Sequence, residues 1–175
     1  MTRTELKAKE FDVYYGRYIN KVDVSRHLRE GFSLGKKEVE EYFAAIPASL
    51  HNYAYAENKW TIKEVLQHLI DTERIFSYRC FRIARRDQSP LAGFDQNIYI
   101  GPSLAQQKTM LQLLREFAAG RNHTISLLES LSNDDLAQIG IASGNPMSAR
   151  AAAFTIIGHD SWHMEIIKDR YLNHA

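Results

Sequence analysis

The stretch TIIGHDSWHMEIIKDRYL, residues 155–172, carries His159 and His163 four positions apart among closely spaced isoleucines. In an α-helix this spacing places both rings on one face, with their Cβ atoms ~6 Å apart. The isoleucines indicate that this face is buried. Because an unpaired buried polar group costs on the order of 1–3 kcal/mol, both imidazoles need partners. A divalent metal ion would bond one nitrogen of each ring, and imidazole suits zinc, nickel, copper and iron.

A third histidine with suitable placement lies in EVLQHLIDTE, residues 64–73. His68 follows Val65 by three positions and precedes Leu69, at the edge of the apolar stripe of a predicted helix. Alone, such a histidine is more often a hydrogen-bonded core residue, but the histidine pair on a facing helix favours a ligand. The positions of the other histidines argue against a role as metal ligands. His27 lies off the apolar stripe of its helix, His51 lies in a connection between helices, His123 lies on the polar face of its helix and His174 lies near the end of the chain. Three histidines leave a fourth tetrahedral position open, as in catalytic sites.

Two acidic residues stand close to these histidines in the sequence. Asp71 lies three residues after His68, on the same helical face. It can hydrogen-bond the free N–H of a ligand or act as a base on metal-bound water. The alternative is a solvated or salt-bridged carboxylate on the rim of the bundle. Asp160 follows His159 directly, about 100° round the helix, and is expected to face solvent.

Composition and charge exclude several classes of partner. Lys and Arg total 22 and Asp and Glu total 21, so the formal net charge is +1, and we expect no nucleic-acid partner. No membrane partner is expected either, because no run approaches the ~18 apolar residues of a membrane span. The lone Cys80 cannot form an internal disulfide and favours packing over nucleophilic chemistry. With no signal-peptide pattern, these features predict a single cytoplasmic domain over residues 1–175.

Four long helical patterns are readable, and no segment alternates convincingly with period two. Their expected starts are Asp23, Thr61 with Glu64, Ser103 with Gln106, and Ser148; their expected ends are Pro47 and residues near 86, 131 and 171. The segment at 140–148 is predicted to be a loop. Four helices and nothing else predict an all-α fold, a four-helix bundle.

The segment RDQSPLAGFDQNIYIGPS, residues 86–103, interrupts the helical pattern with prolines and glycines. Connections this long are usually functional or disordered. Phe94 and Ile98 favour a packed loop. We therefore expect a lid near the open coordination position, with Asp95 and Tyr99 facing the ligand.

Several motifs together resemble the DinB-like (YfiT-like) superfamily of metal-binding four-helix bundles, found mainly in bacteria. They are FDVYYGRYI at 11–19, KWTIKEVLQHLIDTERIFSYRCFRIAR at 59–85, DQSPLAGFDQN at 87–97 and IIGHDSWHMEIIKDRYL at 156–172. The resemblance extends over nearly the whole chain. It implies an up-down-down-up bundle with a divalent metal ion, zinc or nickel, on His68, His159 and His163. Many members carry a further histidine where Trp162 stands here.

The resemblance leaves three functions open. The first is a metal-dependent hydrolase, in which the metal lowers the pKa of bound water toward ~7. The second is a transferase or isomerase that joins a low-molecular-weight thiol to an electrophile, with the thiolate on the metal. The third is a non-catalytic bundle in which the metal stabilises the fold. The hydrolase is the first expectation, with a small-molecule substrate and assembly as a homodimer.

Overall fold

A computed structural model describes residues 1–173, and most of them are helical. The helices are α1 (Val13–Ile19), α2 (Leu28–Ala44), α3 (Ile62–Ala84), α4 (Asn97–Ser103), α5 (Met110–Glu129), α6 (Asn133–Leu136) and α7 (Ala149–Ile166), and the strands are β1 (Ile139–Ala142) and β2 (Asn145–Ser148). Short 3₁₀ turns lie at Arg3–Glu5, Ala8–Glu10, Ala48–Leu50 and Ala105–Gln107, and a π-helical turn at Ile167–Leu172 extends α7. His174 and the last position of the predicted domain lie outside the described residues.

Four long helices form the bundle. α2 packs against α5 and α7, and α3 packs against the same two helices. Arg29, near the start of α2, donates to the carbonyl of Leu128, near the end of α5. Tyr42, near the end of α2, donates to the carbonyl of Met164, near the end of α7. The short helix α1 lies along α7.

The N-terminal caps of α3 and α7 confirm the sequence prediction. The N–H of Glu64 donates to Oγ1 of Thr61 at 3.3 Å, and the Glu64 carboxylate accepts the N–H of Thr61 at 2.8 Å. At α7, Oγ of Ser148 accepts the N–H of Ala151 at 3.0 Å. Because α3 and α7 carry the three candidate ligands, these caps help to define where the histidines lie.

The start of the third long helix differs from the prediction. α5 begins after Thr109, which forms a capping box with Gln112. The predicted cap, Ser103, instead ends α4, where its hydroxyl donates to the carbonyl of Ile100 at 2.6 Å. The expected Ser103–Gln106 box was therefore wrong, and the connection at 86–103 contains a short helix.

The start of the first long helix was also placed too early. The Asp23 carboxylate accepts both the N–H and the hydroxyl of Ser25, so it caps a turn rather than a helix. α2 begins at Leu28. The lead-in at 11–19, which had no helix assigned, contains α1.

The segment at 140–148, predicted to be a loop, belongs to an antiparallel hairpin over 139–148, in which Ile139 pairs with Ser148. The turn residues Ser143 and Gly144 have φ of 52° and 80°. Positive φ at both positions is what a two-residue type I′ turn requires. In β1 the exposed residues are Ile139 and Ile141 and the buried ones are Gly140 and Ala142, so apolar and polar residues do not alternate along the strand. The hairpin receives a further backbone hydrogen bond from Leu91 of the 86–103 connection.

The bundle core consists of two apolar clusters separated by a polar layer. One cluster includes Phe32, Phe76, Ile83, Phe154 and Ile157. The other includes Val39, Phe43, Val65, Leu69 and Leu113. Between them lie the buried side chains of His68, Glu73, Arg121, His159, Asp160 and His163. Polar groups at this depth need partners within the layer itself.

Within residues 1–173, no helix combines the length and the apolar character that a membrane crossing requires.

Candidate metal centre

His68 projects from α3, and His159 and His163 project from α7 to meet it. Nε2 of His159 lies 3.0 Å from Nε2 of His68 and 3.1 Å from Nε2 of His163. In the part of the chain that the structure describes, one cluster of three or more histidine, cysteine or acidic side chains is close enough together to hold an ion. It consists of these three histidines. Two metal–nitrogen bonds of ~2.1 Å at roughly 90–109° place their nitrogens ~3.0–3.4 Å apart. The observed spacing fits a shared ion.

The three imidazoles are neutral at neutral pH. Burial lowers the pKa of His68 to about 4. Burial, with repulsion between the neighbouring rings, lowers the pKa of His159 and His163 well below the usual 6.5. Hydrogen bonds cannot easily satisfy three nitrogens that face one another, because each neutral ring has one N–H and one lone pair. Lone pairs directed at a common cation resolve this, so the donor set fits a divalent ion.

Aromatic side chains and one hydroxyl surround the three rings. The ring centroid of Trp60 lies 4.8 Å from His68, that of Tyr18 lies 5.0 Å from His159, and that of Trp162 lies 4.7 Å from His163. Oγ1 of Thr72 lies 3.4 Å from Nδ1 of His68. These contacts restrict ring rotation, which keeps each Nε2 directed inward.

Asp71 makes its hydrogen bonds away from the histidine rings. Its carboxylate accepts from the Gln67 amide at 3.1 Å and from Arg74 at 2.8 Å. The position beside Nδ1 of His68 belongs to Thr72. The contacts observed are those of the salt-bridged rim carboxylate, and a base or orienting role for Asp71 stays a prediction.

Asp160 is buried, so the expectation that it faces solvent was wrong. Every residue from Ala151 to Asp160 is buried, because α7 is covered on all sides rather than on one face. The Asp160 carboxylate accepts from Arg121 at 2.5 Å, and Arg121 also donates to Glu73 at 2.9 Å. Burial raises the pKa of Asp160 to about 7, and the attraction of Arg121 opposes this rise. This network occupies the polar layer beside the histidines.

A cavity of about 290 Å³ opens beside two of the three histidines. Its lining is Tyr14, Tyr15, Tyr18, His68, Thr72, Phe76, Gly93, Phe94, Gln96, Ser143, Thr155 and His159. None of these described residues carries a carboxylate, a guanidinium or an ammonium group. The cavity is large enough for a small organic molecule in contact with the histidines.

The 86–103 connection contributes Gly93, Phe94 and Gln96 to this lining, as expected of a loop beside the site. The side chains predicted to face the ligand do not line the cavity. Asp95 is exposed and accepts the N–H of Asn97 at 2.9 Å, at the start of the following helix. Tyr99 stacks on Phe94 with ring centroids 5.8 Å apart and faces a separate groove.

Cys80 is fully buried in the apolar core, and burial raises the pKa of its thiol to about 12. A thiol at that pKa is protonated at neutral pH and is a poor nucleophile. The structure agrees with the packing role expected of Cys80.

Gly158 allows α1 to approach α7 immediately before the first α7 histidine. A Cβ at this position would lie 2.1 Å from the carbonyl oxygen of Tyr18. We therefore expect Gly158→Ala to lower the free energy of unfolding by about 1–3 kcal/mol, because backbone must move. Urea titration measures the change. Sequence reasoning missed this residue, although a glycine next to a candidate ligand was a visible signal.

Gly120 is the matched control for this substitution. It also lies inside a long helix, and a Cβ there would meet nothing within 4 Å. Gly120→Ala is expected to raise the free energy of unfolding by roughly 0.5–1 kcal/mol, since alanine favours the helix. A stabilising effect at both positions would contradict the close approach of α1 to α7.

The fold and the site define a class: a four-helix bundle with three converging histidines in its polar central layer. The chain belongs to the DinB superfamily, whose family model matches residues 32–167. No curated protein matches it in sequence.

Two solved structures share this fold at low sequence identity. YfiT from Bacillus subtilis, described as a probable metal-dependent hydrolase with an unusual four-helix bundle topology, is 11% identical with a TM-score of 0.74. The alignment covers 97% of this chain and 93% of YfiT. A mycothiol-dependent maleylpyruvate isomerase is 10% identical with a TM-score of 0.65, over 98% of this chain and 64% of the isomerase. At these identities the likeness concerns the fold.

Proposed function

We propose that the chain is a metal-dependent hydrolase of a small molecule, with a divalent ion on His68, His159 and His163. The observation that carries the proposal is the position of this cluster: three neutral imidazoles converge where a cavity meets the core. A structural metal site is closed by four protein ligands, whereas a catalytic site keeps a position for substrate or water. Zinc and nickel are the ions proposed.

The residues around the cluster would position the histidines, exclude water and orient the substrate. A divalent ion there would supply Lewis acidity, which polarises a substrate carbonyl and lowers the pKa of water. Trp60, Tyr18 and Trp162 keep the histidine rings in place. Phe76 and Phe94 exclude bulk water from the cavity, and its hydroxyl and amide groups can orient a bound substrate.

Thiol transfer is the second candidate, with a low-molecular-weight thiol as the co-substrate. The aromatic character of the cavity favours it, because tyrosine and phenylalanine rings suit a weakly solvated sulfur. The described lining also has no carboxylate that would repel a thiolate. The similar mycothiol-dependent isomerase adds a thiol-using neighbour with the same fold.

A cobalt(II) titration separates these candidates, since the visible spectrum of cobalt(II) depends on its ligands. Hydrolysis predicts a spectral pH transition near ~7 and no sulfur band when small thiols are added. Thiol transfer predicts a sulfur-to-cobalt charge-transfer band that saturates at low thiol concentration, with proton release. Glutathione, cysteine and bacillithiol are suitable probes.

Two controls complete this titration. Cys80→Ser must leave any thiol-dependent band intact, because Cys80 is a second source of sulfur in the chain. A protein that shows neither signal, but loses much of its thermal stability with the metal, would contradict both enzyme proposals. That result would instead support the non-catalytic bundle.

We also propose the up-down-down-up order for α2, α3, α5 and α7. Contacts between helix ends support it. The Arg29–Leu128 pair favours antiparallel α2 and α5, and the Tyr42–Met164 pair favours parallel α2 and α7. Lys108, just before the start of α5, donates to the side-chain oxygen of Gln67, near the start of α3, at 2.7 Å, which favours parallel α3 and α5.

A single domain over 1–175, a cytoplasmic location and a homodimer complete the proposal. The near-neutral charge and the single cysteine support the location. The exposed rings of Tyr78 and Phe81 on α3 offer apolar surface for a second copy. Light scattering of the purified protein would measure the assembly.

A further inference from the structure

Arg79, on α3, is a buried cation beside the cavity. Its side chain is among the largest that are fully buried, with 1% of the residue exposed. Within the described residues 1–173, Arg79 forms no ion pair with a carboxylate. A buried charge is normally paired. The other fully buried arginine, Arg121, is held between two carboxylates.

The partners of Arg79 are neutral oxygens, and two of them face the cavity. Its guanidinium donates to Oγ of Ser143 at 2.7 Å, to the carbonyl of Ala92 at 3.0 Å and to the hydroxyl of Tyr15 at 3.4 Å. Ser143 and Tyr15 also line the cavity. The guanidinium therefore lies directly behind this part of the cavity wall.

Arg79 determines whether the hydroxyls of Ser143 and Tyr15 donate or accept their hydrogen bonds. A guanidinium has no acceptor, so each hydroxyl must use a lone pair to bond it. Each hydroxyl hydrogen then remains free to donate to another group. The wall consequently presents two O–H donors next to a positive charge, and the described lining has no carboxylate to accept from them. Such donors suit an anionic oxygen.

The backbone of Ser143 adopts a left-handed conformation that serine rarely takes. It occupies the first place of the hairpin turn with φ of 52°, where glycine and asparagine are the usual residues. Strained residues of this kind cluster at active sites and at ligand-binding positions. The Ser143–Arg79 hydrogen bond is the interaction in the structure that uses the side chain.

We propose that the cavity binds a small carboxylic acid, whose carboxylate accepts from the hydroxyls of Tyr15 and Ser143. Arg79 is the positioning residue: it orients both donors and supplies the compensating positive charge. Cζ of Arg79 lies 4.9 Å from the ring centroid of Phe76 and 5.6 Å from that of Phe94. These two rings would pack on the apolar part of the acid. The inference rests on the proposed function in taking this cavity as the substrate site, and it adds the substrate class.

Binding of benzoate and benzamide tests the proposal, because the two probes share a shape and differ in charge. Calorimetry or NMR titration of the wild-type protein is expected to show benzoate binding at least about tenfold tighter than benzamide. Arg79→Gln should remove this preference, and Arg79→Lys, which keeps a charge, should retain part of it. Arg85→Gln is the matched control, since it removes an exposed charge from the same helix end and should leave the preference unchanged.

The same titrations on chelator-treated protein separate this inference from the metal proposal. A benzoate preference that persists without metal and depends on Arg79 supports the carboxylate subsite whether or not the histidines bind an ion. A preference that requires metal and survives Arg79→Gln would assign the carboxylate to the histidines and overturn the inference. Equal binding of both probes to the wild type would also overturn it.

A second variant decides the question if Arg79→Gln fails to fold. Tyr15→Phe combined with Ser143→Ala removes both hydroxyls and keeps the buried guanidinium. Circular dichroism should show an unchanged helical content, because neither substitution empties a large volume. The preference for benzoate should fall by about tenfold in this variant. An unchanged preference would contradict the assigned donors.

Discussion

Arg121→Met is expected to lower the free energy of unfolding by about 3–5 kcal/mol. The side chain of Arg121 is 0% exposed and lies between those of Glu73 and Asp160, which are each 4% exposed. Its guanidinium also contacts the faces of Phe32 and Phe117. Without it, two carboxylates face each other in the core with no compensating charge. Chemical denaturation measures the loss.

Arg74→Met is the matched control. Arg74 also pairs with two carboxylates, Asp71 and Glu116, but 53% of its side chain is exposed. Water screens these pairs, so the expected change is within about 1 kcal/mol. Similar losses for the two variants would contradict the role of burial. Replacing Glu73 and Asp160 by amides in the Arg121→Met background should recover part of the stability, since the repulsion disappears.

His68→Ala is expected to lower affinity for zinc or nickel by more than about 100-fold. Loss of a group that only orients a ligand already costs 10–100-fold, and His68 is proposed as a ligand itself. His159 and His163 would remain, but both project from α7, and two ligands make a weak site. Equilibrium competition with a chelator of known affinity measures the change, on protein purified without a metal-binding tag.

His123→Ala provides the control for this loss. His123 lies on α5, exposed beside a surface groove away from the cluster. The substitution should leave about one equivalent of bound metal. Equal metal retention in His68→Ala and His123→Ala would contradict the assignment of His68.

The ligand cluster was readable from the sequence because helical geometry is local. A spacing of four residues places His159 and His163 on one face in any α-helix. The caps at Thr61 and Ser148 were readable for the same reason. His68 was predicted from the buried stripe of its own helix and the histidine pair on a facing helix, and the family resemblance implied the same three ligands. The structure brings their Nε2 atoms together.

The rest of the polar layer depends on contacts between distant residues. Asp160 looks like a surface residue on a helical wheel, and its partner Arg121 lies 39 positions earlier on another helix. Arg79 likewise reads as part of a basic helix end, while its partners Ser143 and Tyr15 are each 64 positions away. A local sequence pattern cannot predict contacts between residues this far apart in the chain. The hairpin was missed because β1 carries isoleucines on its exposed face and glycine and alanine on its buried face, so apolar and polar residues do not alternate along it.

X-ray absorption spectroscopy of the protein loaded with one equivalent of zinc shows directly which atoms bind the metal. We expect imidazole nitrogens as the protein ligands, three per zinc, at about 2.0–2.1 Å. We also expect a reduced imidazole contribution in His68→Ala. A spectrum of hydrated zinc without imidazole scattering, or a sulfur shell near ~2.3 Å from Cys80, would contradict a metal centre on His68, His159 and His163.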